Sequence, residues 1–432
     1  MRVLMFGWEF PPHITGGLGT ACYGLSKGLA KHNVELIFVV PKAYGDEDQE
    51  VARIVNASDI PFLLTDEQHK EYWSRIKYME IGSKIVPYVD PEVYAETYEE
   101  NKKTSESFTS RVFSEKYEFS GKYGPNLMEE ISRYALIGST LGMEEEFDLI
   151  HAHDWLTYPA GIAAKKASGK PLVVHIHATE FDRSGRNVNQ EVYDIEREGM
   201  QAADMVIAVS NLTRNTVIEH YGIDPKKVVT VHNAVDQSMM QDVMNVKKPF
   251  KEKLVTFLGR ITQQKGPAYF VEAAYRILQK DQNVRFVMAG SGDMLNQMIE
   301  HASRLRIADK FHFTGFLKGK DISHVFALSD VFVMPSVSEP FGIVPLEAMR
   351  SNVPVVISKQ SGVAEVLTHA LKVDFWDVDG MADAIYGLLH YEGLTKVFRK
   401  YGKQEVENLK WEDSALKVKA VYETVLNEYN NQ

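Results

Sequence analysis

The chain has a single cysteine, Cys22, in 432 residues. That excludes a disulfide framework and fits a reducing, cytoplasmic compartment. Cys22 follows Leu18 and precedes Leu25 and Leu29 at helical spacing, which reads as a buried structural thiol. No run of about 18 apolar residues occurs, so no membrane span is expected. The opening Met1-Arg-Val-Leu-Met-Phe6 is too short for a signal-peptide core. Positive charge is in deficit: 48 Lys and Arg stand against 59 Asp and Glu, a net charge of −11. A nucleic-acid surface is therefore not expected, and any phosphate site must gather its cations locally. Low-complexity segments and short internal repeats are missing, as are the GxGxxG and HExxH motifs.

What is present is the composition of a soluble globular protein, 44% hydrophobic and 25% charged, at a length that suits two domains. The N-terminal half opens as strand (3–6), loop (11–19), helix (18–31) and strand (35–40), a βαβ unit that implies a parallel sheet. Apolar runs at 149–152, 172–177, 206–209 and 228–232 continue it. Residues 44 to about 125 break the rhythm with polar, Tyr-rich sequence and read as a large insertion. After a polar connector, a second alternating series runs from residue 254 to 357. The predicted class is α/β, with two doubly wound Rossmann-like domains over about 1–240 and 250–410. An amphipathic helix follows over 411–432, with Trp411, Ala415, Val418, Tyr422 and Val425 on one face.

The most specific stretch is Ser338-Glu-Pro-Phe-Gly-Ile-Val-Pro-Leu-Glu-Ala-Met349. It follows a strand-like run at 331–334 and leads into a helix, a geometry that aims free backbone N–H groups at an anion. Glu339 stands before that helix and Glu347 inside it. A ligand with phosphates in the middle and hydroxyls at both ends, such as a sugar nucleotide, suits this order. In the loop Leu258-Gly-Arg-Ile-Thr-Gln-Gln-Lys-Gly266, Arg260 and Lys265 can neutralise a diphosphate, or they are solvated surface cations. Ala289-Gly-Ser-Gly-Asp293 is a second glycine turn before a helix. Gly16, Gly17 and Gly19 let backbone approach a ligand closely, or they form an ordinary tight turn. Two His-x-His pairs, His151/His153 and His175/His177, stand at strand ends, where alternation turns both members of a pair to one face. They are buried structural histidines, metal ligands or cleft residues. The missing HExxH, the remoteness of Cys22 and the two-sheet pattern argue against a metal, so His177 and Asp154 are preferred as cleft residues.

Taken in this order, the motifs resemble the retaining glycosyltransferases of the two-domain GT-B type, closest to the glycogen and starch synthase group (families 4 and 5). Glu339-Pro-Phe-Gly-Ile-Val-Pro-Leu-Glu347 is similar to the E-x7-E signature, Trp8-Glu-Phe-Pro-Pro12 with Thr15-Gly-Gly-Leu18 to the synthase N-terminal loop, and His151-Ala-His-Asp-Trp155 to HxHDW. The resemblance implies two Rossmann-like domains facing a central cleft, with the terminal helix crossing back onto the N-terminal domain. It implies that Arg260 and Lys265 hold the donor diphosphate, that Glu347 binds ribose hydroxyls, and that Glu339 with the N–H groups of Phe341 and Gly342 holds the transferred sugar. His177 would contact the sugar and reacting centre, Asp154 and Asn233 would line the cleft, and Gly16 and Gly17 would bring backbone to the donor or acceptor. No cofactor or metal is implied; the nucleotide sugar is a substrate. The partners implied are that donor and an α-glucan or other glycan acceptor, with oligomeric state left open. Ile14 departs from the pattern, standing where the synthases carry lysine, which favours UDP-glucose slightly over ADP-glucose. The expected activity is transfer of glucose to a growing α-1,4-glucan. The alternatives are a family 4 enzyme making another polysaccharide or glycoconjugate, and, more distantly, a sugar-nucleotide epimerase.

Overall fold

The structure is a computed structural model that describes residues 1–14, 16–61, 116–124, 126–236 and 248–431. Two compact units divide the chain. The first comprises Met1–Val209, Thr213–Val231 and Trp411–Gln432, and the second Ser210–Leu212 and His232–Lys410.

The first unit holds a parallel sheet of strands β1 (Arg2–Phe6), β2 (Glu35–Val40), β3 (Arg53–Asn56), β4 (Leu149–His153), β5 (Leu172–Ile176), β6 (Met205–Ala208) and β7 (Val228–Thr230). Their spatial order is β3-β2-β1-β4-β5-β6-β7. The inner strands are buried and mostly apolar because helices cover both faces of the sheet, with His151, His153 and His175 as the polar exceptions on β4 and β5. The chain runs from β1 outward to β3, then returns to β4 and runs out the other way. The carboxyl ends of β1 and β4 therefore diverge at a topological switch point, the place where open α/β sheets bind ligands. Tyr134, on helix Leu127–Glu144, is fully buried and donates its hydroxyl to the carbonyls of Gly7 and Val39, pinning the end of β1 beneath it. Helix Trp411–Asn430 packs on helix Gly17–Lys31, where Gly24 and Gly28 leave room for Trp411 and Ala415.

The second unit repeats the plan with β8 (Lys253–Leu258), β9 (Val284–Ala289), β10 (Phe311–Gly315), β11 (Val331–Met334), β12 (Val355–Ser358) and β13 (Leu371–Val373). Their order is β10-β9-β8-β11-β12-β13, which puts its switch point between β8 and β11.

Two sequence expectations change here. The stretch from residue 44 is not wholly an insertion: Arg53–Asn56 is the edge strand β3, paired with β2. Its only apolar residues are Ile54 and Val55, and one face of an edge strand needs no more. Residues 62–115, with most of the tyrosines of that stretch, lie outside the described residues. The division between units falls at Val231/His232 rather than near residue 240, so Asn233 belongs to the second unit. His232 pairs with Glu365 at 2.7 Å, Val235 N–H reaches the Leu409 carbonyl and Arg350 donates to the Asp236 carbonyl, which ties the segment there.

Candidate active site

In the second unit, the loop after β8 and the loop after β11 are laced together at the switch point. Val337 N–H donates to the Gln264 carbonyl at 2.8 Å. Gly266 has φ +65°, and a Cβ there would collide with the Pro335 carbonyl, so only glycine closes the turn. This lacing carries Lys265, at the end of the turn Gln263–Lys265, to Glu339: Nζ to Oε2 is 2.6 Å. Ser336 donates its hydroxyl to the same Oε2 at 3.1 Å. Arg260 donates to Gln264 Oε1 at 3.3 Å, one turn from the pair. Glu339 is itself held by backbone, its N–H on the Gln360 carbonyl (3.0 Å) and its carbonyl on Gly362 N–H (2.9 Å).

Phe341 is buried, so its ring serves the core and only its backbone is available to a ligand. Gly342 has φ +100°, with Met334 Sδ and Glu339 Cγ each 3.1 Å from where a Cβ would stand. Helix Val344–Arg350 follows, with Glu347 in its first turn. Desolvation pushes the Glu347 carboxyl up to about 7, against the opposing pull of Arg350. The sequence reading missed Ser336 and Gln264, whose roles depend on contacts far along the chain. Phe316, just past β10, is 54% exposed.

In the first unit, β1 leads through a loop to helix Gly17–Lys31. Gly16 is extended (φ −170°), and a Cβ at Gly16 or Gly17 would meet nothing within 4 Å. Packing does not require either glycine. Gly19 differs, because Ile14 and Glu9 press on it. Ile14 is thus spent on packing against the helix. At the end of β4, Asp154 adopts φ +59° and its Oδ1 accepts from the backbone N–H of His177 at 2.6 Å and, more weakly, of Ala178 at 3.4 Å. Burial pushes this carboxyl up to about 7, opposed by those N–H groups and by Arg183. Arg183, held by Glu180 and Glu196, donates to the Ala178 carbonyl at 2.9 Å and so braces the same turn. These three were not anticipated from the sequence.

The β4/β5 register places His153 opposite His175, so both His-x-His pairs share one face. His151 Nδ1 lies 2.5 Å from the Tyr422 hydroxyl, and His153 Nδ1 lies 3.0 Å from His177 Nε2. Burial pushes all four imidazoles down, His177 to about 3, so the rings are neutral. Among the described residues, two sets of side chains could hold a metal ion: His151, His153 and His175, and Cys22, His153 and His177. The second removes one ground for setting a metal aside, because Cys22 is remote only in sequence.

Residues 241–405 match the family model described as "Glycosyl transferases group 1", and residues 90–238 match "Glycosyltransferase Family 4". The chain is a GT-B glycosyltransferase. Arg260, Lys265, Glu339, Phe341, Gly342 and Glu347 of this glycosyltransferase lie in the first match, and Asp154, His177 and Asn233 in the second. The chain is 27% identical to an uncharacterized glycosyltransferase of Methanocaldococcus jannaschii, over 99% of each chain. It is 23% identical to a glycogen synthase of Mycobacterium tuberculosis, over 98% of this chain and 94% of that one. Its fold is similar to a sucrose-phosphate synthase structure from Thermosynechococcus elongatus, with TM-score 0.72, 16% identity and 99% of each chain covered. A glycosyltransferase of this kind takes a nucleotide-sugar donor and a glycan acceptor. Among the described residues, no helix is long and apolar enough to cross a membrane.

Proposed function

We propose that this glycosyltransferase moves glucose from UDP-glucose, or less readily ADP-glucose, to the growing end of an α-1,4-glucan with retention of anomeric configuration. The observation that carries the donor half is the joining of Lys265 to Glu339 at the β8/β11 switch point, with Arg260 one turn away. A cation beside a carboxylate suits a ligand whose phosphates and sugar hydroxyls are adjacent. Lys265 and Arg260 take the diphosphate, Glu339 accepts from hydroxyls of the sugar, and Glu347 accepts from the ribose. The Mycobacterium tuberculosis glycogen synthase, similar over nearly the full length, supports the glucan acceptor.

In this mechanism the leaving diphosphate gains charge as the glycosidic bond breaks, and Lys265 and Arg260 stabilise it there. A phosphate oxygen takes the proton of the incoming acceptor hydroxyl on the same face, which retains the configuration. Because side chains neutralise the leaving group, no divalent metal is needed. Gly16 and Gly17 bring backbone to the donor or acceptor, His177 contacts the sugar, and Asp154 and Asn233 are further substrate-lining residues. His177, neutral at working pH, acts as a hydrogen-bonding group and not as a proton carrier. Ile14, packed on Gly19, supplies no phosphate contact, which is why UDP-glucose is placed first.

The family 4 match over 90–238 supports a second reading, transfer to another polysaccharide or glycoconjugate. A panel of UDP-, ADP- and GDP-sugars against glycogen, maltooligosaccharides and lipid-linked sugars, scored by nucleotide release, separates the two. Release that depends on a maltooligosaccharide supports the glucan; release with only a lipid-linked acceptor replaces it.

A further inference from the structure

The fold brings the chain's single cysteine to two of its histidines. Cys22 lies on helix Gly17–Lys31, His153 ends β4 and His177 follows β5. One ligand atom from each lies within 4.8 Å of the other two. His153 Nδ1 and His177 Nε2 are already 3.0 Å apart, close enough for one ion to bind both at about 2.0–2.1 Å. The other nitrogens of these rings, His153 Nε2 and His177 Nδ1, are buried with no hydrogen-bond partner among the described residues. Cys22 and His153 are buried and His177 is partly exposed. The carboxylates of Asp154 and Glu9 act on the thiol electrostatically, a field that favours a cation.

Within the pair at the centre of this set, the His153 and His177 rings are tilted by 35° with nitrogens facing each other.

We propose that Cys22, His153 and His177 form a binding site for Zn²⁺ whose occupancy inhibits transfer. A thiolate with two imidazoles is a zinc-type ligand set, and three protein ligands leave a fourth position for water. On binding, the Cys22 thiol proton leaves to solvent. The imidazole that donates in the His153–His177 hydrogen bond shifts its N–H to its other ring nitrogen, so each ligand presents a lone pair. The ion then occupies His177 Nε2 and takes that ring from the acceptor side. Zinc is an inhibitor here and not a cofactor, because the donor diphosphate is neutralised by Lys265 and Arg260.

The test uses the full chain, stripped with EDTA and desalted. Co²⁺ added to the wild-type protein is expected to give a near-ultraviolet thiolate-to-cobalt charge-transfer band that Zn²⁺ displaces at one equivalent. Cys22→Ser is expected to lose the band, keep basal transfer and lose zinc inhibition. Absence of the cobalt band in the wild-type protein would overturn the proposal, as would equal zinc sensitivity of transfer in Cys22→Ser. The band needs neither donor nor acceptor, so it stands or falls separately from the assignment of the reaction.

Discussion

Lys265 Nζ lies 2.6 Å from Glu339 Oε2, an ion pair between loops that leave neighbouring parallel strands. Without ligand, each group holds the other in place. A donor that puts phosphate on Lys265 and a hydroxyl on Glu339 replaces this pair with two charge-assisted contacts already oriented for it. Lys265→Ala is expected to lower kcat/KM by on the order of 10² or more, measured by nucleotide release. Near-wild-type kcat/KM would show that the diphosphate sits elsewhere.

Gly17→Ala adds a methyl group where nothing lies within 4 Å. The fold is expected to keep its Tm or gain slightly, since Ala is preferred over Gly by about 0.5–1 kcal/mol in a helix. Transfer is expected to fall by roughly tenfold to 10², because the methyl group holds substrate off the backbone. Thermal melts and initial rates check both halves, and a variant with unchanged rate would return Gly17 to an ordinary turn role.

Glu347 sets a pH dependence of stability in the ligand-free protein. Its folded carboxyl titrates at about 7, above its ordinary 4.5. Between those values the folded state holds a proton that the unfolded state has lost, so this group's contribution falls as pH rises from 4.5 through 7. Glu347→Gln is expected to remove that fall and to stabilise the protein at pH 8 relative to wild type, by on the order of 1–2 kcal/mol after allowance for partial solvent exposure. Urea unfolding at pH 5 and pH 8 measures it. The same variant should raise the donor KM, since a neutral amide is a poorer acceptor for ribose hydroxyls.

Gly28 faces the backbone of Trp411 and the methyl of Ala415, where an added Cβ would lie 2.6–2.7 Å from their atoms. Gly28→Ala is expected to push helix Trp411–Asn430 off helix Gly17–Lys31, at a cost of about 1–3 kcal/mol. A lowered urea midpoint with faster proteolysis after residue 410 would show it. An unchanged midpoint would mean that the terminal helix adds little to the first unit.

The sheets were legible because buried parallel strands are short apolar runs, as in Val331–Met334, each followed by glycine turns or polar loops. The edge strand β3 escaped because Arg53-Ile-Val-Asn56 carries only two apolar residues. Helix Leu127–Glu144 was legible in the apolar spacing of Leu127, Ile131, Tyr134, Ile137 and Leu141 and was passed over; the close approach of helix Tyr158–Ser168 at Gly138 and Gly142 was not legible, because glycine carries no hydrophobic signal. Site residues were readable as types in loops, while their pairings were not. Nothing local to Lys265 points to Glu339, because the contact depends on two strands of different chain position lying side by side. Cys22 shows the same limit: its helical spacing reads as core, and only the register of β4 and β5 brings His153 and His177 to it.

The most direct test of the account is the product of UDP-glucose and a reducing-end-labelled maltooligosaccharide, resolved by chain length and by the anomeric proton coupling of the added residue. The account predicts labelled chains lengthened by single α-1,4-linked glucose units, with one UDP released per unit and activity retained in EDTA. A β-linked product would contradict it, as would no lengthening from either UDP- or ADP-glucose while another acceptor is glycosylated.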